Sequence, residues 1–105
     1  MDQSSTKWDC GITEVINTIS GKWKINILWI LFNNEKIGFN QLKRKLTGIS
    51  NKMLINSLNN LIEKKYISKN KYGTKAPFVS EYQLTSKGLS LIPLLQELNQ
   101  WENNN

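Results

Sequence analysis

Ser50–Lys65 reads SNKMLINSLNNLIEKK, and within it Leu54, Leu58, Leu61 and Ile62 recur at i, i+4, i+7 and i+8. That spacing lays one apolar stripe along an amphipathic helix. At about 100° per residue, Lys52, Asn56, Asn59, Asn60 and Glu63 fall on the opposite side. This outward face is mostly amide, with a single lysine near its start. Surface helices more often display Glu and Lys, because asparagine is a mediocre helix former. An amide face turned to water therefore invites a reason. One is chemical: an amide donates and accepts at once, as an adenine edge in the DNA major groove requires. The plain alternative is a solvated face in a chain rich in lysine and asparagine. The helix alone leaves both open, and its surroundings decide.

Just before it, a helix starting at Phe39 or Asn40 and running through Leu46 turns Phe39, Leu42 and Leu46 inward and Gln41, Lys43, Arg44 and Lys45 outward. Thr47-Gly48-Ile49 is a tight connection, and Ser50 is placed to cap the next helix. Two short amphipathic helices joined by a glycine-containing turn are the helix-turn-helix pattern. Just after it, Tyr66 to Tyr72 leaves the helix as a strand. Gly73 to Pro77 is turn-rich, and Phe78–Leu84 (FVSEYQL) reads as a return strand. A hairpin following a helix-turn-helix is a wing, with Lys71 and Lys75 near its tip.

Further out, Met1–Lys7 reads as a loose tail with Trp8 and Cys10 at its end. Ile12, Val15, Ile16 and Ile19 predict a short first helix ending at Gly21. Lys22–Asn33 predicts a second helix. It carries Trp23, Ile27, Leu28, Trp29, Leu31 and Phe32 around much of its circumference, so it should be the most buried in the domain. A brief strand is expected at Ile37–Gly38. Thr85 caps a last helix whose Leu91, Leu94, Leu95, Leu98 and Trp101 share a face. Pro93 should bend that helix or confine its regular part to one side, with Glu102 and the terminal asparagines fraying.

The totals bound the class. The chain has 105 residues, one domain's worth, and carries a net charge of +6. From Lys36 to Lys75 stand ten lysines and arginines against one acid, Glu63, while the remainder holds four bases and seven acids. Such asymmetry is the footprint of a surface that meets a polyanion. The basic residues are spread over several elements instead of one amphipathic helix, which argues against a membrane surface as the partner. No apolar run approaches the ~20 residues of a membrane span, and Met1–Lys7 lacks a signal-peptide core. The single cysteine excludes an internal disulfide. A soluble cytoplasmic protein is expected. The chain has no histidine, and no paired-carboxylate motif, metal-ligand spacing or glycine-rich phosphate loop, so neither enzyme chemistry nor a cofactor is expected.

With these elements in place, the chain resembles the HxlR family of bacterial winged-helix transcriptional regulators. The matching pieces are Cys10 ahead of the first helix; Gly21-Lys22-Trp23-Lys24 with Ile27-Leu28-Trp29 and Leu31; Phe39-Asn40-Gln41-Leu42; Gly48-Ile49-Ser50 with Lys52-Met53-Leu54; and Glu81-Tyr82 followed by Leu84-Thr85-Ser86-Lys87-Gly88. They stand in the family's order from about Cys10 to Trp101. The resemblance implies a homodimer on a two-fold symmetric operator, with the helix matching Ser50–Lys64 in the major groove and first and last helices that build the dimer. It also implies a sensing cysteine, since several members use one at the position of Cys10 against oxidants or electrophiles. Two departures stand out. Pro77-Phe78-Val79-Ser80-Glu81-Tyr82 lacks the family's second proline and basic residue, which shifts the wing contact to Lys75 or Lys71. Gly38 replaces a commonly basic residue before the Phe39 motif.

The expectation is therefore an α+β, mainly helical winged helix-turn-helix in one domain, 1–105. Its helix-turn-helix covers about 39–64, its wing about 66–84, and its dimerisation helices about 11–20 and 86–101. The partners expected are double-stranded DNA and a second copy of the chain. Lys43, Arg44, Lys69, Lys71 and Lys75 are candidate phosphate contacts, joined by Ser50 and the free amides of the helix it caps. Asn51, Lys52, Met53 and Asn56 are candidate base readers, with Gln41 in support; Asn51 lies nearer the apolar side of the wheel. Trp8, Ile12, Val15, Ile16, Leu91, Leu94, Leu95, Leu98 and Trp101 are candidate interface residues. Cys10 is either a small packed hydrophobe or a reactive thiol at a helix start beside Lys7. Two other functions remain: a winged-helix module that docks an acidic protein, and an architectural DNA binder without sequence preference. An effector pocket between helices would leave little trace in a sequence.

Overall fold

A computed structural model describes residues 8–72 and 79–105, with side chains at 10–71 and 80–105. The expectations for Lys7, Lys75, the Trp8 side chain and the turn joining the two wing strands lie outside the described residues.

Among the described residues, five helices and a three-stranded sheet follow in the order α1 (Trp8–Ile19), α2 (Lys24–Asn33), β1 (Ile37–Gly38), α3 (Phe39–Lys45), α4 (Asn51–Glu63), β2 (Ile67–Tyr72), β3 (Val79–Leu84) and α5 (Ser86–Asn103). The architecture is mainly helical with a small antiparallel sheet. β3 is the central strand: β1 pairs with it through Ile37↔Tyr82 and Gly38↔Glu81, and β2 through Ile67↔Leu84 to Tyr72↔Val79. The two-residue strand β1 thus docks the start of the helix-turn-helix onto the base of the wing.

One core closes under α4. Leu54, Leu58 and Leu61 are buried against Ile27, Leu28 and Leu31 of α2, Leu42 and Leu46 around α3, and Ile37, Ile67 and Tyr82 of the sheet. Ile62, the fourth residue of the stripe, is only half-buried and packs at its edge. Gly48 adopts φ +90°, a conformation that favours glycine, and so makes the sharp turn between α3 and α4. Gly88 serves a different need. A Cβ there would lie 2.2 Å from the Tyr66 carbonyl oxygen, so only glycine lets α5 approach the start of β2.

Several boundaries differ from expectation. α1 begins at Trp8 and takes in Cys10, which the polar tail before it had placed outside the helix. α2 begins at Lys24, after a turn in which Gly21 sits at φ +102°. It is also less enclosed than its composition suggests: Ile27, Leu28 and Leu31 are buried, but Ile25, Trp29 and Phe32 face outward. The described elements cover only one side of it. α5 runs unbroken through Pro93 to Asn103, so the proline confines nothing. Four residues before it, Leu89 is exposed, and water can satisfy the carbonyl that Pro93 cannot. The terminal asparagines extend the helix end, with Asn105 Nδ2 donating to the Trp101 carbonyl at 2.7 Å. The fold is elongated, 53 × 31 × 26 Å. Among the described residues no helix is long and apolar enough to cross a membrane.

Candidate nucleic-acid interface

The start of α4 is built by its cap. Ser50 is extended, and its Oγ accepts from the Met53 amide at 3.0 Å, which fixes the first turn. With Leu54, Ser57, Leu58 and Leu61 turned into the core, Asn51, Lys52, Met53, Ile55 and Asn56 all face solvent. Asn51 escapes the core because the buried stripe begins only at Leu54. Asn59 is likewise exposed. Asn60 is not part of a free amide face: its Oδ1 accepts from Lys24 Nζ of α2 at 2.7 Å.

Ile55 is a candidate the sequence reading passed over. It is 46% exposed, and Met53 beside it 45%. Ile55 lines a cleft between α4 and the hairpin with Phe39, Leu58, Asn59, Lys69, Ser80 and Tyr82. The spacing left it undecided. Three residues before Leu58 and seven before Ile62, Ile55 borders the apolar stripe on a helical wheel, and only the packing shows that it stays outside the core.

Cations flank this surface on two sides. On α3, Arg44 and Lys45 are exposed and Lys43 is half-exposed. Gln41 is only partly available, since its Oε1 accepts from the Gly38 amide at 3.2 Å and leaves the Nε2 donors. Gln41, Arg44 and Lys45 line a polar cleft with Asn34, Lys36 and Ile37. On β2, Lys69 and Lys71 are exposed and share one face by the two-residue period. Lys69 Nζ lies 6.0 Å from the centre of the Tyr82 ring, and burial pushes the Tyr82 phenol above its ordinary range. Not every base of the segment is available to a polyanion. Lys64 Nζ is 2.7 Å from Glu14 Oε2 of α1. That hydrogen bond and its charge hold the Glu14 carboxyl below its usual value and Lys64 above its own.

Away from this face, Cys10 is an exposed free thiol in the first turn of α1. Ile12 and Ile16 are exposed on the same helix, and on α5 Leu94 is 56%, Leu98 59% and Trp101 63% exposed. Leu91 belongs to the chain's own core, while Val15 and Leu95 are half-buried against that core. Ile25, Trp29, Phe32 and Leu89 are exposed as well and were not among the expected interface residues. Trp29 and Phe32 stack at 5.6 Å, and a groove between α2 and α5 is lined by Ile25, Asn26, Trp29, Ile92, Leu95, Gln96 and Asn99. The signal was the apolar circumference of α2, which marks either deep burial or a face awaiting a second surface.

The chain is similar to known proteins. A family model described as HxlR-like helix-turn-helix matches residues 18–105. The HTH-type transcriptional regulator YkvN of Bacillus subtilis is 41% identical over 95 residues, which is 90% of this chain and 79% of YkvN. A structure described as a MarR-family transcriptional regulator from Porphyromonas gingivalis W83 superposes with a TM-score of 0.79 at 32% identity, covering 95% of this chain and 96% of the other. The redox regulator HypR in its oxidised form superposes with a TM-score of 0.77 at 27% identity, covering 91% of this chain and 97% of HypR.

Proposed function

The chain belongs to the HxlR-like helix-turn-helix family of transcriptional regulators, and from that premise we propose that it acts as a homodimer reading a palindromic operator. The observation that carries the proposal is the exposed first half of α4, where Asn51, Lys52, Met53 and Asn56 stand clear of the core beside the cations of α3 and β2. Lys52 suits guanine acceptors, Asn51 and Asn56 suit adenine edges, and Met53 and Ile55 offer apolar contact to a thymine methyl. Lys43, Arg44, Lys69 and Lys71 neutralise phosphates, and the remaining donors of Gln41 and the first amides of α4 add to them. Ile12, Ile16, Leu94, Leu98 and Trp101 supply the apolar surface of the dimer, which sets the spacing of two α4 helices on one face of the duplex.

Cys10 is the group through which an oxidant or electrophile acts in this reading. Its exposed thiol supports that role, as does the likeness to HypR, which is named a redox regulator. A lone cysteine restricts the chemistry to intermolecular products. Two thiols, Cys10 and either its counterpart or a small thiol, lose two electrons and two protons to the oxidant and form one S–S bond.

Selection from a random duplex library tests the reading. A two-fold symmetric consensus is expected, bound at least a hundredfold more tightly than its scrambled version. Lys52→Ala and Asn56→Ala should each cost about 1–3 kcal/mol on the selected duplex and relax preference at one base step. Unchanged affinity and preference in both variants would remove α4 from the groove. Recovery of no consensus would favour non-specific binding or a protein partner. Diamide should release the selected duplex from the wild type, and an equal response from Cys10→Ser would end the redox role.

A further inference from the structure

The last turn of α4 is held by every helix that does not belong to the helix-turn-helix. From α1, Glu14 pairs with Lys64 at 2.7 Å. From α2, Lys24 Nζ donates to Asn60 Oδ1 at 2.7 Å. From α5 and its cap, Lys87 Nζ donates to the Lys64 carbonyl at 2.9 Å and Thr85 Oγ1 to the Lys65 carbonyl at 2.5 Å. Lys87 also lies 4.3 Å from the centre of the Tyr66 ring. The chain reverses here: Lys65 sits at φ +72°, a conformation uncommon outside glycine.

Apolar packing under Leu54, Leu58 and Leu61 fixes how deeply α4 sits but is non-directional, so it tolerates small rotations. Hydrogen bonds and ion pairs are directional and fix the angle. At 1.5 Å per residue α4 is about 20 Å long, so a 5° tilt at its end moves the first turn by nearly 2 Å. Such a displacement is enough to lose a bidentate base contact.

Resting on the DNA-binding reading above, we propose that Glu14 and Lys64 are positioning residues for DNA recognition, setting the angle of α4 from α1 without either side chain touching DNA. Glu14 is an acid within a few ångströms of the most basic part of the chain. If its only influence were its charge, removing it would strengthen binding to a polyanion. If it holds α4 in place, removing it weakens specific binding. The two accounts differ in sign.

The experiment measures anisotropy of the duplex recovered from the random library with the full chain, Glu14→Gln, and the exchange Glu14→Lys with Lys64→Glu. A pair this exposed is worth little per copy, so Glu14→Gln should lose roughly two- to tenfold when two copies act together. The exchange should return to within about twofold of the wild type, a rescue impossible if Lys64 were itself a phosphate contact. A second reading follows the same duplex with its half-sites moved apart by one base pair. Glu14→Gln should discriminate less against that spacing than the wild type does, which a general loss of folded protein would not produce. Equal or tighter binding by Glu14→Gln, an exchange that fails to restore affinity, or unaltered spacing discrimination would each overturn the proposal. A wild type that selects no duplex would instead defeat the DNA-binding reading itself.

Discussion

Ile55 shows how far a single side chain's neighbours decide its use. Its exposure, one residue from fully buried Leu54, places a branched apolar group beside the amides proposed to address base edges. Replacing thymine by uracil at each position of the selected duplex removes only the C5 methyl. One such replacement should weaken the wild type by about 0.5–1.5 kcal/mol, and in Ile55→Ala that penalty should vanish. Glu14 makes a separate prediction. Lys64 depresses its carboxyl below the ordinary 4.5, so the pair's contribution is complete above that value and is lost as pH falls through the folded pKa. Lys64 is raised above 10.5, so at the alkaline end the contribution persists up to that value and fades as pH rises through the folded one. Carboxyl resonances of Glu14 should therefore titrate below 4.5 in the folded protein and move back towards it in Lys64→Met.

At the scale of elements, the start of the hairpin and α5 meet at the Tyr66 carbonyl. Thr85 caps α5 by accepting from the Gly88 amide at 3.1 Å, while its own amide donates to the Tyr66 carbonyl at 3.1 Å. Gly88 is pressed against that same carbonyl, with Leu84 Cδ2 3.1 Å from where its Cβ would be. Gly88→Ala must push a strand and a helix apart and should cost about 1–3 kcal/mol in chemical denaturation. Gly11, within α1, has nothing within 4 Å of an added Cβ. The same substitution there should stabilise by about 0.5–1 kcal/mol, since only the helix propensity changes. Opposite signs for one chemical change would locate the constraint in packing. The Leu84-Thr85-Ser86-Lys87-Gly88 motif thus has a local reason for its cap, its lysine and its glycine.

For the whole molecule, the proposed function requires two surfaces of different character to work together. The basic face follows from charge, and if each half of a dimer neutralises about four phosphates, log K should fall against log salt with a slope near −7. The apolar face of α5, with Leu94, Leu98 and Trp101 more than half exposed, is a large hydrophobic area for one short chain to leave in water. Leu98→Glu with Trp101→Glu should give a folded monomer by sedimentation. Its slope should fall by about half and its preference for a symmetric site should be lost.

The α4 stripe, the Ser50 and Thr85 caps, the glycine turn at Gly48 and the β2–β3 pairing were legible in the sequence, because each rests on residues close along the chain whose period or dihedral preference acts locally. The same holds for the basic segment, since charge needs no fold to be counted. What the tertiary structure alone decided is which groups are already spoken for. Asn60 and Lys64 look like outward-facing polar residues on a wheel, yet partners from α2 and α1, 36 and 50 positions away, engage them. Leu91 and Leu94 look equivalent on α5, yet one closes the core and the other is left in solvent. Trp29 and Phe32 look like core, yet the described elements leave each of them nearly half exposed. A one-dimensional pattern gives a side chain's direction from its own helix axis; what stands in that direction is set by how distant segments pack, and local spacing carries no record of it.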